Sequence, residues 1–276
     1  MSMSLATHPN YPTRIDDTDE NYDINCPFYE DPVLEKSAGV WADYVNVPEQ
    51  ELRERFVWYN NELLALEDSN IKFKNGKPIC EIRTGIKGRG MLGRYGPNHA
   101  ADPIVTKFNF WKWRFEFVSA QRIDTSPPQW CIPGGMVDPG ESVSLTLRRE
   151  FKEEVASECD DSILNAIFKN GTCLYSGPTC GDPRTTDDAW IETRVVHYHL
   201  SNKLANKIKL THQPEENRAV QWISCDHPEL YGDHAEYVHL AKKNAKSIMI
   251  KNLASSIINC AIMGGLIYMV VKRVSA

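Results

Sequence analysis

Between Gly135 and Glu154 seven residue types stand at fixed intervals: Gly135, Glu141, Arg149, Glu150, Phe151, Glu153 and Glu154. Val143, Leu147, Phe151 and Val155 recur every four residues, which predicts a helix over 142 to about 156 with one stripe in a core. On that helix Glu150, Glu153 and Glu154 fall at i, i+3 and i+4 and share one arc. Like charges so spaced cost roughly a few tenths of a kcal/mol per pair. They also lie toward the negative end of the helix dipole, where anions are disfavoured. A cation would relieve both costs, and clustered carboxylate oxygens suit Mg²⁺ or Mn²⁺ rather than zinc. The plainer alternative is a solvated acidic face.

The residues ahead of the helix narrow the choice. Asp138-Pro139-Gly140 is a turn signal, and Gly134-Gly135 lets backbone come close to whatever the helix binds. Arg149 is placed to pair with a carboxylate and hold the loop against the helix. The whole string reads G-x5-E-x7-R-E-U-x-E-E, with U bulky and apolar, and resembles the signature of the Nudix hydrolase family. The chain departs from the usual continuation x-G-U, because Ala156 and Ser157 follow Val155; this puts the helix's last turn in question. The resemblance implies an α+β fold, an α/β/α sandwich around a mixed sheet, and hydrolysis of a nucleoside diphosphate linked to another moiety. It further implies that Glu150 and Glu154 are the principal ligands of divalent cations, Mg²⁺ with Mn²⁺ as a substitute. Glu153 would assist, the Gly135 carbonyl would also coordinate, and Glu141 with Arg149 would form the orienting ion pair.

Two further stretches bear on the substrate. GRGMLGRYGPNHAADPI precedes the core, and GDPRTTDDAWIET runs from Gly181 to Thr193. With Trp41-Ala42-Asp43, they are similar to the branch of mitochondrial-type ADP-ribose pyrophosphatases, which is related to the ADP-ribose-sensing tail of a calcium-permeable channel. That similarity implies ADP-ribose as substrate, with AMP and ribose 5-phosphate as products. It leaves open a module that binds without cleaving, against which the intact Glu150 and Glu153-Glu154 argue. By its chemistry Arg184 can fork onto a phosphate. Asp187 and Asp188 can accept from ribose hydroxyls, and Trp190 can cover an adenine or ribose face or sit in the core, the stronger reading. Asn98 and His99 reach the same cleft or only shape their own segment. His197 and His199 share a strand face as a packed pair. Nothing in their spacing selects among Glu192, Glu215 and Glu216 as helpers of a water.

Organisation follows from punctuation. Residues 1–104 are expected to form a smaller, irregular accessory domain, with helix formers from Pro48 to about Leu66. Its end is glycine-dense: five glycines and two prolines from Arg83 to Pro103 argue against a regular helix or strand there. That stretch reads equally as a linker or as a cationic approach to phosphate. The catalytic domain is expected over 105–250. Its strands are expected at Trp111–Phe117, Gln129–Ile132, Cys173–Ser176, Ile191–Leu200 and Val220–Ile223. Helices are expected at Asp160–Lys169 and about His234–Ile250.

Charge and cysteine usage exclude whole classes. The net charge is −6, and eight acids with no Lys or Arg lie between Asp16 and Glu35, which disfavours a nucleic-acid-binding surface. Eight cysteines without a C-x-x-C pair read as reduced, mostly buried thiols. The first twenty residues lack both an apolar signal core and a basic amphipathic pattern, so the cytosol is the expected compartment and a monomer the expected state. The tail, 251–276, holds nineteen uncharged residues from Leu253 to Val271, about 28 Å as a helix and near a bilayer's hydrocarbon thickness. Lys251, Lys272 and Arg273 flank it, five residues from the carboxyl terminus. A tail anchor and a terminal helix docked on the domain are both open.

Overall fold

The computed structural model describes residues 33–35, 42–44, 46–55, 71–80, 84–138, 141–179, 182–227 and 230–274, with 33–35 and 257–274 as backbone only. Expectations for Trp41, Arg83, Pro139, Gly140, Gly181 and the rest of the first forty residues lie outside these. So does the second half of the 48–66 helix, which is described as α1 over 49–55.

The centre is a mixed sheet in the order β11-β6-β5-β10-β9. Its strands are β5 (Gly96–Asn109), β6 (Arg114–Arg122), β9 (Thr172–Pro178), β10 (Ala189–Leu200) and β11 (Asn217–Ser224). β5 and β10 are parallel and in register from Gly96↔Ala189 to Lys107↔Leu200, while the other pairs are antiparallel. The two-residue strands β7 (Trp130–Cys131) and β8 (Gly135–Met136) pair with β6 and β5.

Strand alternation sends neighbouring residues to opposite faces. Val105, Val118 and Val196 join one core with Leu147, Phe151 and Val155 of α2 (Val143–Val155), Leu164 and Ile167 of α3 (Asp161–Ile167) and Ala205 of α4 (Asn202–Ala205). Ile104, Phe117 and Val195 join the other, under Tyr237, Val238, Ala241 and Ala245 of α5 (His234–Val274). The α+β sandwich is therefore a sheet with helices on both faces.

Three expectations are corrected. The glycine-dense stretch does form strands, β4 (Lys87–Gly90) and the start of β5. Glycines at positive φ, Gly90, Gly93 and Gly96 among them, make the turn between the two, and pairing with β10 carries β5 from Pro97 onward. The Trp111–Phe117 strand begins only at Arg114, because residues 110–113 are the β5–β6 turn; Phe115 and Phe117 are buried while Trp111 and Trp113 are exposed. α5 does not stop at Ile250 but runs 41 residues.

The amino-terminal part is tied to this sheet. β1 (Val33–Glu35) pairs with β4, and β2 (Lys72–Lys74) with β3 (Lys77–Ile79). Leu52 packs with Val47 and Tyr95. The Asp43 carboxylate accepts from Arg55 at 2.6 and 3.1 Å and from the Tyr95 amide at 2.8 Å. Among the described cysteines Cys80, Cys131, Cys159 and Cys225 are buried and Cys173 is exposed.

Candidate active site

Ser142 starts α2, its Oγ accepting from the Leu145 amide at 3.4 Å. Leu147, Phe151 and Val155 face the core, which turns Glu150 and Glu154 toward the Gly134-Gly135 strand. The last turn needs no left-handed residue, since Ala156 has φ −145° and is fully buried. That is why alanine serves where glycine is usual. Two groups close this helix end: Thr211 N–H donates to the Val155 carbonyl and Asn217 Nδ2, at the start of β11, to that of Glu154, each at 2.9 Å.

Arg149 is the hub of the carboxylates. Its Nε and Nη2 grip Glu141 in a two-pronged pair at 3.0 and 2.8 Å. Nη1 donates to Glu150 at 2.8 Å and Glu153 at 3.1 Å, and Nη2 also reaches the Met136 carbonyl at 3.1 Å. Thr146 Oγ1 donates to Glu141 at 2.8 Å, completing the latch between loop and helix. The Arg149 grip holds the Glu141 carboxyl below the usual range.

Both glycines are close-approach positions. A Cβ on Gly135 would run into the Glu150 carboxylate, and one on Gly134 into Asp102. The Gly134 amide donates to Glu154 at 3.0 Å. Burial pushes the Glu150 carboxyl up to about 7, against the pull of Arg149. Burial and then the Glu150 charge push Glu154 up to about 8. Two acids so placed gain from a proton or a cation. Their hard oxygens, beside backbone that a side chain would block, fit Mg²⁺ or Mn²⁺. Among the described residues no three His, Cys, Asp or Glu side chains gather tightly enough to hold a metal alone. Glu153 stands apart, half exposed against Arg149.

The second stretch behaves differently from expectation. Arg184 lies near enough to act on Asp102, and its fork is closed on Asp182 at 2.9 and 2.7 Å. Asp187 Oδ1 accepts from the Thr84 amide at 2.5 Å, the Thr84 hydroxyl at 2.9 Å and the Gly85 amide at 3.1 Å, anchoring the glycine-rich segment. Asp188 does the same through the Gly88 amide at 2.7 Å. Trp190 is buried in the core, with Nε1 donating to buried Glu192 at 3.0 Å. Asn98 Nδ2 shapes its own turn through the carbonyls of Arg94 at 3.0 Å and Gly96 at 3.1 Å. His99 is buried and held neutral, its pKa lowered to about 4. His197 and His199 share the Thr106 hydroxyl at 2.7 and 2.9 Å as a packed pair.

Asp102 and Asp182 escaped the sequence reading. Asp102 is buried under Gly134 with Thr193 Oγ1 donating to it, and burial pushes its carboxyl up to about 6. The charges of Asp182 and Arg184 act on it, and its own charge acts on Glu154. An aspartate amid the apolar residues Ala100, Ala101, Pro103, Ile104 and Val105 was the available signal. Glu216 lies near enough to raise both Glu150 and Glu154, which singles it out from Glu215.

A strand-turn-helix that sets an arginine-latched set of glutamates over two obligatory glycines defines the class: residues 111–241 are a NUDIX domain. The chain is 47% identical over 171 residues to a Caenorhabditis elegans protein described as "Putative nudix hydrolase 6", covering 61% of this chain and 64% of that one. It is 34% identical over 224 residues to the mitochondrial ADP-ribose pyrophosphatase of Rattus norvegicus, covering 72% and 63%. It is 40% identical over 198 residues to a Nematostella vectensis transient receptor potential cation channel, subfamily M member-like 2, covering 63% of this chain and 12% of the channel. The chain thus spans under two thirds of the length of each of these relatives.

Proposed function

We propose that the protein hydrolyses the diphosphate bond of ADP-ribose, with water adding to one phosphorus and the bridging P–O bond breaking, to give AMP and ribose 5-phosphate. The observation that carries this reading is the convergence of intact Glu150 and Glu154 on Gly134-Gly135, with Arg149 and Glu141 fixing the helix. Glu150 and Glu154 would hold the divalent cation, Mg²⁺ or Mn²⁺, with Glu153 and the Gly135 carbonyl as further donors. Such a cation neutralises phosphate oxygens and lowers the pKa of the attacking water. Arg184 would meet phosphate by exchanging part of its grip on Asp182, while Asp187, Asp188 and Asn98 keep the glycine-rich segment in place beside it. The likeness to a mitochondrial ADP-ribose pyrophosphatase supports the substrate.

The likeness to part of a cation channel favours a second reading, a module that binds ADP-ribose without cleaving it. Product analysis with Mg²⁺ and a panel of nucleoside diphosphate derivatives separates the two. AMP from ADP-ribose, with little from ATP or sugar nucleotides, supports the enzyme; tight binding without turnover supports the sensor.

We further propose that the apolar stretch Leu253–Val271 enters a membrane. Among the described residues no helix is long and apolar enough to cross one, and the side chains of 257–271 lie outside them. The reading is supported by α5 itself, whose residues from Ile250 to Ser256 are exposed on every side, so the helix has left the domain before the stretch begins. The full chain should resist carbonate extraction; a chain soluble and monodisperse without detergent refutes this.

A further inference from the structure

The β5–β6 turn presents aromatic side chains to solvent with no role in the site. Phe110 is 61% exposed, Trp111 99% and Trp113 77%. Their presentation is built. Asn109 Oδ1 accepts from the amides of Trp111 and Lys112 at 3.1 Å each. Buried Glu116 holds Arg114 at 3.0 Å and Lys112 at 3.6 Å. Phe108 packs edge-on to Phe110 at 5.0 Å and to Trp113 at 5.4 Å. Trp113 takes φ +49°, a conformation that a bulky side chain adopts only when its surroundings impose it.

This turn lies at the end of the sheet where α5 leaves. Asn244 meets His197, which is level with Ile104 of β5; Lys242 pairs with Asp226, just past the β11 end that is level with Glu116; and Met249 packs on the same core as Phe108. Ile250 and Leu253, both exposed, follow directly. Of the nine large hydrophobic residues exposed among the described ones, five therefore sit at this one end.

The charge leans the same way, with Glu116 pairing Lys112 and Arg114, and Asp226 pairing Lys242. In a chain of net charge −6, residues 107–114 carry Lys107, Lys112 and Arg114 without an acid, and 242–251 carry four lysines without an acid. Tryptophan rings ringed by Lys and Arg are the side chains that lodge at a bilayer's headgroup level, and basic clusters are drawn to anionic lipid.

We propose that the β5–β6 turn is a lipid-contact element that inserts Phe110, Trp111 and Trp113 into the headgroup region of an anionic membrane beside the exit of α5. The proposal rests on the reading of the tail as membrane-entering, and the two are tested separately in one experiment. The full chain is mixed with phosphatidylcholine–phosphatidylserine vesicles whose acyl chains carry bromine, a quencher of tryptophan emission. Sedimentation with the vesicles reports the tail, and quenching reports the turn, because 253–271 contains no tryptophan. Wild type should sediment and be quenched, and the double variant Trp111→Phe, Trp113→Phe should sediment equally and lose the quenched component. Sedimentation with quenching unchanged by the double substitution overturns the lipid contact and leaves the tail reading intact. A full chain that stays in the supernatant overturns both.

Discussion

Raising the pH from 6.5 to 8 without a divalent cation should destabilise this protein, and Glu150 and Glu154 supply the reason. Burial lifts their carboxyls from 4.5 to about 7 and about 8. The folded chain therefore retains protons that the unfolded chain has released, and stability falls as pH rises through both values. Buried imidazoles act in the opposite sense: His99, His197 and His234 sit near 4 in the fold against 6.5 in the unfolded chain, so the protons that the unfolded chain sheds above 6.5 return about 1 kcal/mol over the window. Glu141 and Asp182, held low by Arg149 and Arg184, are ionised in both states across the window.

Integrated over that window, the two glutamates together cost about 2 kcal/mol. They titrate as a pair, so the cost belongs to both. Set against the imidazoles the net loss is about 1 kcal/mol, which in a domain of this size lowers the melting temperature by about 2–4 °C. Thermal unfolding followed by tryptophan fluorescence in EDTA at the two pH values measures it. Mg²⁺ should remove most of the drop, because a cation takes the place of the lost protons, and Glu154→Gln should flatten it. A melting temperature that is level or rising in wild type, or a slope unchanged in Glu154→Gln, refutes the reasoning.

Glu150→Gln should lower ADP-ribose turnover by at least about a hundredfold. Its metal-free melting temperature should hold or rise, and near-wild-type turnover at saturating Mg²⁺ would remove Glu150 from the ligands. Arg184→Ala should raise KM more than it changes kcat, and should also lower stability, since it leaves buried Asp182 unpaired. Lysine should restore only part of this, and an unchanged KM would confine Arg184 to its ion pair. Asp187→Ala strands the Thr84 and Gly85 amides and should cost about 1–3 kcal/mol in a denaturant titration, a loss absent if the carboxylate only served ligand.

What the sequence disclosed and what it hid follow from the range of the interactions. α2 was legible almost to the residue, because its cap, its apolar stripe and its glutamates are local and periodic. The Glu141–Arg149 latch was legible because both partners lie within one loop and helix. β5 was hidden, since its first residues are poor strand formers and become a strand only by pairing with β10, far along the chain. The anchoring role of Asp187 was hidden because its partners Thr84 and Gly85 are about a hundred positions away, where no local pattern can reveal them. Trp111 and Trp113 alternate as a strand would, yet the turn that Asn109 nucleates places them outside the sheet.

β5 joins the two ends of the molecule without interruption. Ala101, opposite Gly135, and Asn109, at the foot of the aromatic turn, lie on one strand that rises about 26 Å between them. It is braced along almost all of that length by β10, with which it stays in register as far as Lys107. A beam of this kind passes on tilt and not deformation. Grasping the turn would aim the carboxylate cleft away from whatever holds it, leaving the cleft's internal spacing untouched. The turn would set where the cleft looks, and kcat and KM should be the same whether the turn is held or free.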